Sequence, residues 1–130
     1  MHGTEWIVDA QGCSADALCD MRCLSALFAQ IVEDLGLRTI GEPHWHQFPG
    51  TGGITGLCLL SESHLTCHTF PEFGSLCMNL FCCVPRERWE FESQLAARFS
   101  ARSVRVSSIE RQYDCSFAAA GALGTGGKNK

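Results

Sequence analysis

The stretch Gly53-Ile54-Thr55-Gly56-Leu57-Cys58-Leu59-Leu60-Ser61-Glu62-Ser63-His64-Leu65-Thr66-Cys67-His68-Thr69-Phe70-Pro71-Glu72-Phe73-Gly74 decides how this chain is read. Ile54–Leu60 is an apolar run of strand length, and His64–Phe70 is a second, separated from it by polar Ser61-Glu62-Ser63. After a turn at Pro71–Gly74, Ser75–Cys83 reads as a third strand.

Upstream, Thr4–Ala10 has a short apolar centre and predicts a strand that Gly12 ends. Ser14 suits a helix N-cap, with Asp16 in the first turn. Leu24, Leu27, Phe28, Ile31, Val32 and Leu35 recur at helical spacing, and Gly36 supplies the stop. Arg38–Phe48 reads as extended, with Pro43 marking an edge or bulge, and Pro49–Gly53 as a loop. Downstream, Pro85 is placed at the start of a second helix with Trp89, Leu95, Ala96 and Phe99 inward. Ser103–Ile109 forms the last strand, and Gly-rich 121–130 is expected to be a mobile tail.

Few helices against many strands predict an α+β two-layer sandwich: a mostly antiparallel sheet with helices on one face, in a βαβββ-βαβ-like order. One domain over residues 1–120 accounts for the length. The uncovered sheet face must be buried or polar, and strands as apolar as 56–60 favour burial, by a dimer or a ligand.

The chain has 130 residues, 45% hydrophobic, with a net charge of -4 and no Lys/Arg-rich run, which argues against a nucleic-acid partner. No segment is an uncharged apolar run of membrane-spanning length, and the N-terminus lacks a signal-peptide pattern, so a cytoplasmic protein is expected. Nine cysteines, an odd number, then read mostly as free thiols acting as small hydrophobes. Cys13, Cys19, Cys23, His44, His46, His64 and His68 are potential metal ligands. No paired Cys-x-x-Cys knuckle accompanies them, and no metal is expected.

The chemistry-bearing residues cluster around the opening stretch: a hydroxyl (Ser63), an imidazole (His68), an acid (Glu72) and a thiol (Cys83). Strand alternation puts Ser63, Leu65, Cys67 and Thr69 on one face and His64, Thr66 and His68 on the other. A turn or bulge at Ser61–Ser63 would have to re-aim the serine toward His68.

Glu62-Ser63-His64, then His68-Thr69-Phe70-Pro71-Glu72, then Phe81-Cys82-Cys83 together resemble the pyruvoyl-dependent prokaryotic S-adenosylmethionine decarboxylase proenzymes. Their pattern is Glu-Ser-His, three residues, His-Thr-Trp-Pro-Glu, then a Cys closing the next strand. Gly53-Ile54-Thr55-Gly56 is similar to the family's Gly-Val-Ser-Gly. The element order matches over about residues 4 to 112, most specifically over about 44 to 83.

The resemblance implies cleavage between Glu62 and Ser63, giving a β chain of residues 1–62 and an α chain of residues 63–130. Ser63 becomes the pyruvoyl cofactor, which forms a Schiff base with the substrate amine. His68 is implied as the processing base and Cys83 as the proton donor, while neighbouring Cys82 faces the other way as core packing. For substrate binding, the resemblance implies Glu72 on the ribose hydroxyls, Phe70 (where the family has Trp) and Phe48 on adenine, and Thr55 for the usual Ser. The Pro49–Gly53 loop is one residue longer than in the family. Two aromatic rings would also favour the cationic sulfonium of S-adenosylmethionine. The product would feed spermidine synthesis, and the resemblance suggests a homodimer of cleaved αβ units.

Two alternatives stand beside this reading. The same chemistry could act on arginine or ornithine, with Glu5 or Asp9 receiving the distal cation. Or the Glu-Ser-His turn never cleaves, and the chain is a binding domain without enzymatic activity.

Overall fold

The computed structural model describes residues 2–113; the tail expected at 121–130 lies outside them. Six strands form one sheet: β1 (His2–Gln11), β2 (His44–Gln47), β3 (Ile54–Leu60), β4 (Ser63–Phe70), β5 (Ser75–Cys82) and β6 (Ser103–Gln112). Their order is β2-β3-β4-β5-β1-β6, and each neighbouring pair is antiparallel. Three helices, α1 (Ala15–Leu18), α2 (Met21–Leu35) and α3 (Phe91–Phe99), complete the expected α+β two-layer sandwich.

Alternate residues of the central strands, such as Trp6, Val8, Ala10, Leu65, Cys67, Leu76, Met78 and Leu80, are buried in one core with Leu24, Phe28, Ile31, Leu95 and Phe99 of the helices. Trp45 of β2 stacks on Phe28, centroids 4.7 Å apart, directly over Gly56. A Cβ at Gly56 would lie 2.2 Å from the Trp45 ring, so only glycine lets the edge strand close on the core. Cys58, Cys67 and Cys82 are buried on the same side. Burial pushes the Cys67 thiol up to about 12.

Local departures from the sequence reading have physical causes. The first helix is broken at Cys19-Asp20, because Asp20 caps a new helix by accepting from Arg22 N at 2.9 Å. Gly36 does end α2, in the left-handed conformation (φ 62°). Of Arg38–Phe48, only His44–Gln47 is a strand, with one isolated bridge from Thr39 to Leu60. Pro85 does not start a helix; α3 begins at Phe91. The chain first crosses the end of α2, where Trp89 Nε1 donates to Asp34 (2.8 Å) and Arg86 Nη1 to the Leu35 carbonyl (2.8 Å).

Among the described residues no helix covers the opposite sheet face. It presents Glu5, Ile7 and Asp9 from β1, Cys77, Asn79 and Phe81 from β5, His64, Thr66, His68 and Phe70 from β4, and Thr55, Leu57 and Leu59 from β3. Leu57 and Leu59 are 43% and 52% exposed there. Among the described residues no helix is long and apolar enough to cross a membrane.

Candidate active site

The expected site residues fall into two groups, at opposite ends of β4. At its start, Ser61 and Glu62 form a two-residue turn closing the β3–β4 hairpin, with Leu60 paired to Ser63. The Ser61 N–H donates to the Arg38 carbonyl at 2.9 Å, which ties the turn to the segment after α2. Cys83, the residue after β5, donates its Sγ–H to the carbonyl oxygen of Glu62. Burial, and then the negative charge of Glu62, push this thiol above its ordinary pKa, so it stays a protonated donor at neutral pH. Tyr113 donates its hydroxyl to the Cys83 carbonyl at 2.5 Å and so fixes the backbone that carries the thiol. Ser63 lies on the wall of a cavity of about 350 Å³ with Glu62, Cys83, Arg38 and Arg86.

At the far end of β4, Phe48, Thr55, His68, Phe70 and Glu72 line a second, mainly apolar cavity of about 460 Å³. Thr55 and His68 are cross-strand partners, and Thr55 Oγ1 lies 3.1 Å from His68 Nδ1. With Nδ1 engaged, Nε2 is the ring atom left to exchange a proton. Glu72 sits in a single 3₁₀ turn (Pro71–Phe73) after the strand.

The loop carrying Phe48 is fastened at several points. Gln47 Nε2 donates to the carbonyls of Cys19 (2.8 Å) and Gly52 (3.0 Å), and Phe48 and Gly53 are bonded across its neck (2.8 Å). Gly52 has φ +81°, and a Cβ there would lie 2.8 Å from Cys19 Sγ. Below the loop, buried Thr69 accepts from Ile54 N and donates to the Leu18 carbonyl, both at 2.8 Å. The break between α1 and α2 thus anchors both the loop and the strand end that line this cavity.

The structure brings together Glu62, Ser63 and Cys83, and separately Phe48, Thr55, His68, Phe70 and Glu72. It does not bring Ser63 to His68 within one chain. The bulge expected at Ser61–Ser63 does not form: pairing is unbroken from Thr55↔His68 to Leu60↔Ser63. Five residues of strand separate the two by about 16 Å, on opposite faces. Arg38, Arg86 and Tyr113 were missed by sequence reasoning, since each reaches the site through a long-range contact with no local signal.

Glu5 and Asp9 are already matched. Asn79 (2.8 Å) and Arg111 (2.6 Å) both donate to Glu5 and hold its carboxyl below the usual range, and Arg105 pairs with Asp9 at 2.9 Å. Among the described residues no three His, Cys, Asp or Glu side chains gather as a metal-ligand set.

Residues 4–112 match the model of the S-adenosylmethionine decarboxylase family. A protein of Moorella thermoacetica called S-adenosylmethionine decarboxylase proenzyme is 31% identical over 84% of this chain and 86% of its own. One of Halalkalibacterium halodurans, called S-adenosylmethionine decarboxylase proenzyme 2, is 29% identical over 83% and 80%. In fold, the chain is similar to the crystal structure of the adenosylmethionine decarboxylase from Aquifex aeolicus. The TM-score is 0.72 and the identity 23%, over 86% of this chain and 92% of that one.

Proposed function

The chain belongs to the S-adenosylmethionine decarboxylase family, and from that premise we propose that it cuts itself between Glu62 and Ser63 and then decarboxylates S-adenosylmethionine for spermidine synthesis. It is a carboxy-lyase by family. The observation that carries the self-cleavage is the Cys83 thiol donating to the carbonyl of Glu62, the residue bonded to Ser63.

Ser63 Oγ attacks the Glu62 carbonyl carbon while Cys83 S–H stabilises the charge growing on the oxygen. The Glu62–Ser63 amide breaks and an ester forms in its place. His68, with Nδ1 held by Thr55, takes the Ser63 Cα proton, and the Cβ–Oγ bond breaks. Glu62 leaves as a carboxylate. Water hydrolyses the remaining dehydroalanine amine, releasing ammonia and leaving a pyruvoyl group at the head of residues 63–130.

The site fits that group: it is no larger than the serine it replaces, and Ser63 already opens onto a cavity beside Cys83. A pyruvoyl supplies a carbonyl that accepts the electrons released as carbon dioxide departs. Cys83 then returns a proton to the former α-carbon. Phe48 and Phe70 flank the adenine and favour the sulfonium charge, and Glu72 accepts from the ribose hydroxyls.

Because Ser63 and His68 lie at opposite ends of β4, one chain does not make a whole site. A second copy, packed antiparallel on the uncovered face with its exposed Leu57 and Leu59, would set His68 of the partner subunit against the Glu62–Ser63 junction, at the end of the face that Phe81 and Cys83 share. We therefore propose a homodimer of cleaved αβ units with shared sites. Arginine and ornithine are disfavoured as substrates, since Glu5 and Asp9 are already neutralised by Arg111 and Arg105.

Incubation with carboxyl-labelled S-adenosylmethionine tests the reading. Wild type should release labelled carbon dioxide, and Ser63→Ala, left whole at 14.2 kDa, should release none. Fully cut protein that releases none would overturn the substrate.

A further inference from the structure

We infer that Arg38 and Arg86 form a receptor for the carboxylate that self-cleavage creates at the cut end of Glu62. This rests on the cleavage proposed above. In the uncut chain, the Glu62 carbonyl is a neutral acceptor for Cys83. Elimination turns it into an α-carboxylate, so Glu62 then carries two negative charges. They appear in a cavity of about 350 Å³ whose lining holds two cations, Arg38 and Arg86, and no acid other than Glu62.

Arg86 is anchored beside the turn by its side chain, and Arg38 by its backbone. Arg86 spends one of its five N–H donors on the Leu35 carbonyl, 2.8 Å away at the end of α2. Without that guanidinium, the negative end of the helix would repel a new anion. The Arg38 carbonyl accepts from Ser61 N, so its backbone moves with the turn that is cut. A guanidinium fork matches the two oxygens of a carboxylate. The Cys83 thiol gains from this: burial, and then the charge of Glu62, already make it a weaker acid. A carboxylate held at the arginines leaves it free to give up its proton.

The carboxylate of a bound substrate has the same chemistry. That group, however, loses its charge on leaving as carbon dioxide. Two guanidiniums would stabilise the ground state more than the transition state, so the cut end is the better ligand.

The test compares melting temperatures of wild type, Arg38→Gln/Arg86→Gln, Ser63→Ala, and the triple variant, all without substrate. The arginine substitutions should lower Tm by about 4 °C more in the cut protein than in the Ser63→Ala background, with KM unchanged. Equal drops in both backgrounds would overturn the inference. Equal drops with a KM raised tenfold or more would assign the arginines to the substrate instead. If the double variant does not cut, the single variants are compared in the same way. A wild-type chain that stays whole would overturn the cleavage reading itself, which is a different result.

Discussion

The thiol of Cys83 donates to the carbonyl oxygen of Glu62, twenty-one residues earlier in the chain. The contact follows from register. β4 and β5 pair as His64↔Phe81 and Leu65↔Leu80, and extending that ladder by one more like-facing pair sets Glu62 opposite Cys83. A one-residue slip of β4 would bury His64 and His68 in the core and turn Glu62 away from the thiol. The register that builds the hydrophobic core thus also aims the donor at the bond proposed to break.

If the thiol assists cleavage, Cys83→Ala should still cut, but about 10- to 100-fold more slowly, less than or near the loss of a strong oxyanion donor. Its decarboxylation should fall further, because the protonating group is gone as well. Gel time courses of freshly made protein and labelled carbon dioxide release read the two effects separately. A fully active Cys83→Ala would remove Cys83 from both roles.

His68→Ala should stall at the ester, since the Ser63 Cα proton has no base. Hydroxylamine should then split the stalled chain in two while leaving Ser63→Ala whole. Thr55→Val, which loses the 3.1 Å contact to Nδ1, should slow cutting about tenfold. Spontaneous, complete cutting of His68→Ala would place the base elsewhere.

Shared sites predict rescue. When His68→Ala and Ser63→Ala chains are made together, the His68→Ala chain in a mixed dimer meets an intact His68 from its partner and should be cut. Differently tagged chains and a gel report this. No cutting in a mixed population that contains heterodimers would confine each site to one chain.

Alkali should destabilise the fold partly through Cys67. Its folded pKa of about 12 lies above the unfolded value of ~8.5. The contribution is therefore complete below about pH 8.5. Toward pH 12 the unfolded chain loses a proton that the native state keeps, and stability falls by up to about 1.4 kcal/mol per pH unit. Urea titrations between about pH 9 and 10.5 should show a shallower fall in Cys67→Ala, although that variant starts less stable. Equal slopes would mean that the buried thiol titrates normally.

Much of this fold was legible because burial alternates along the strands. Leu65 and Cys67 against Thr66 and His68 mark their faces without any partner, whereas the all-apolar run Leu57–Leu60 gives no such signal and only the structure shows Leu57 and Leu59 exposed. The break at Cys19-Asp20 was hidden, because the N-cap at Ser14 and the helical spacing of Leu24, Leu27, Phe28 and Ile31 read together as one helix. Pro85 misled because its helix-starting preference loses to the Trp89–Asp34 bond, 55 residues apart in sequence. The two groups of candidate residues were visible as motifs, but their separation was not. Sequence proximity placed Ser63 near His68, whereas an unbroken strand holds them apart. Arg38, Arg86 and Tyr113 meet the site only through tertiary contacts, which no local pattern reports.

The most direct measurement is a denaturing mass spectrum of purified protein after incubation, in separate tubes, with S-adenosylmethionine, arginine or ornithine and cyanoborohydride. The account predicts two chains, residues 1–62 and 63–130, the second beginning with a pyruvoyl and carrying a reduced adduct in the S-adenosylmethionine tube alone. An adduct from arginine or ornithine would keep the chemistry and contradict the substrate. A single 14.2 kDa chain in every tube would contradict the self-cleavage on which the whole account stands.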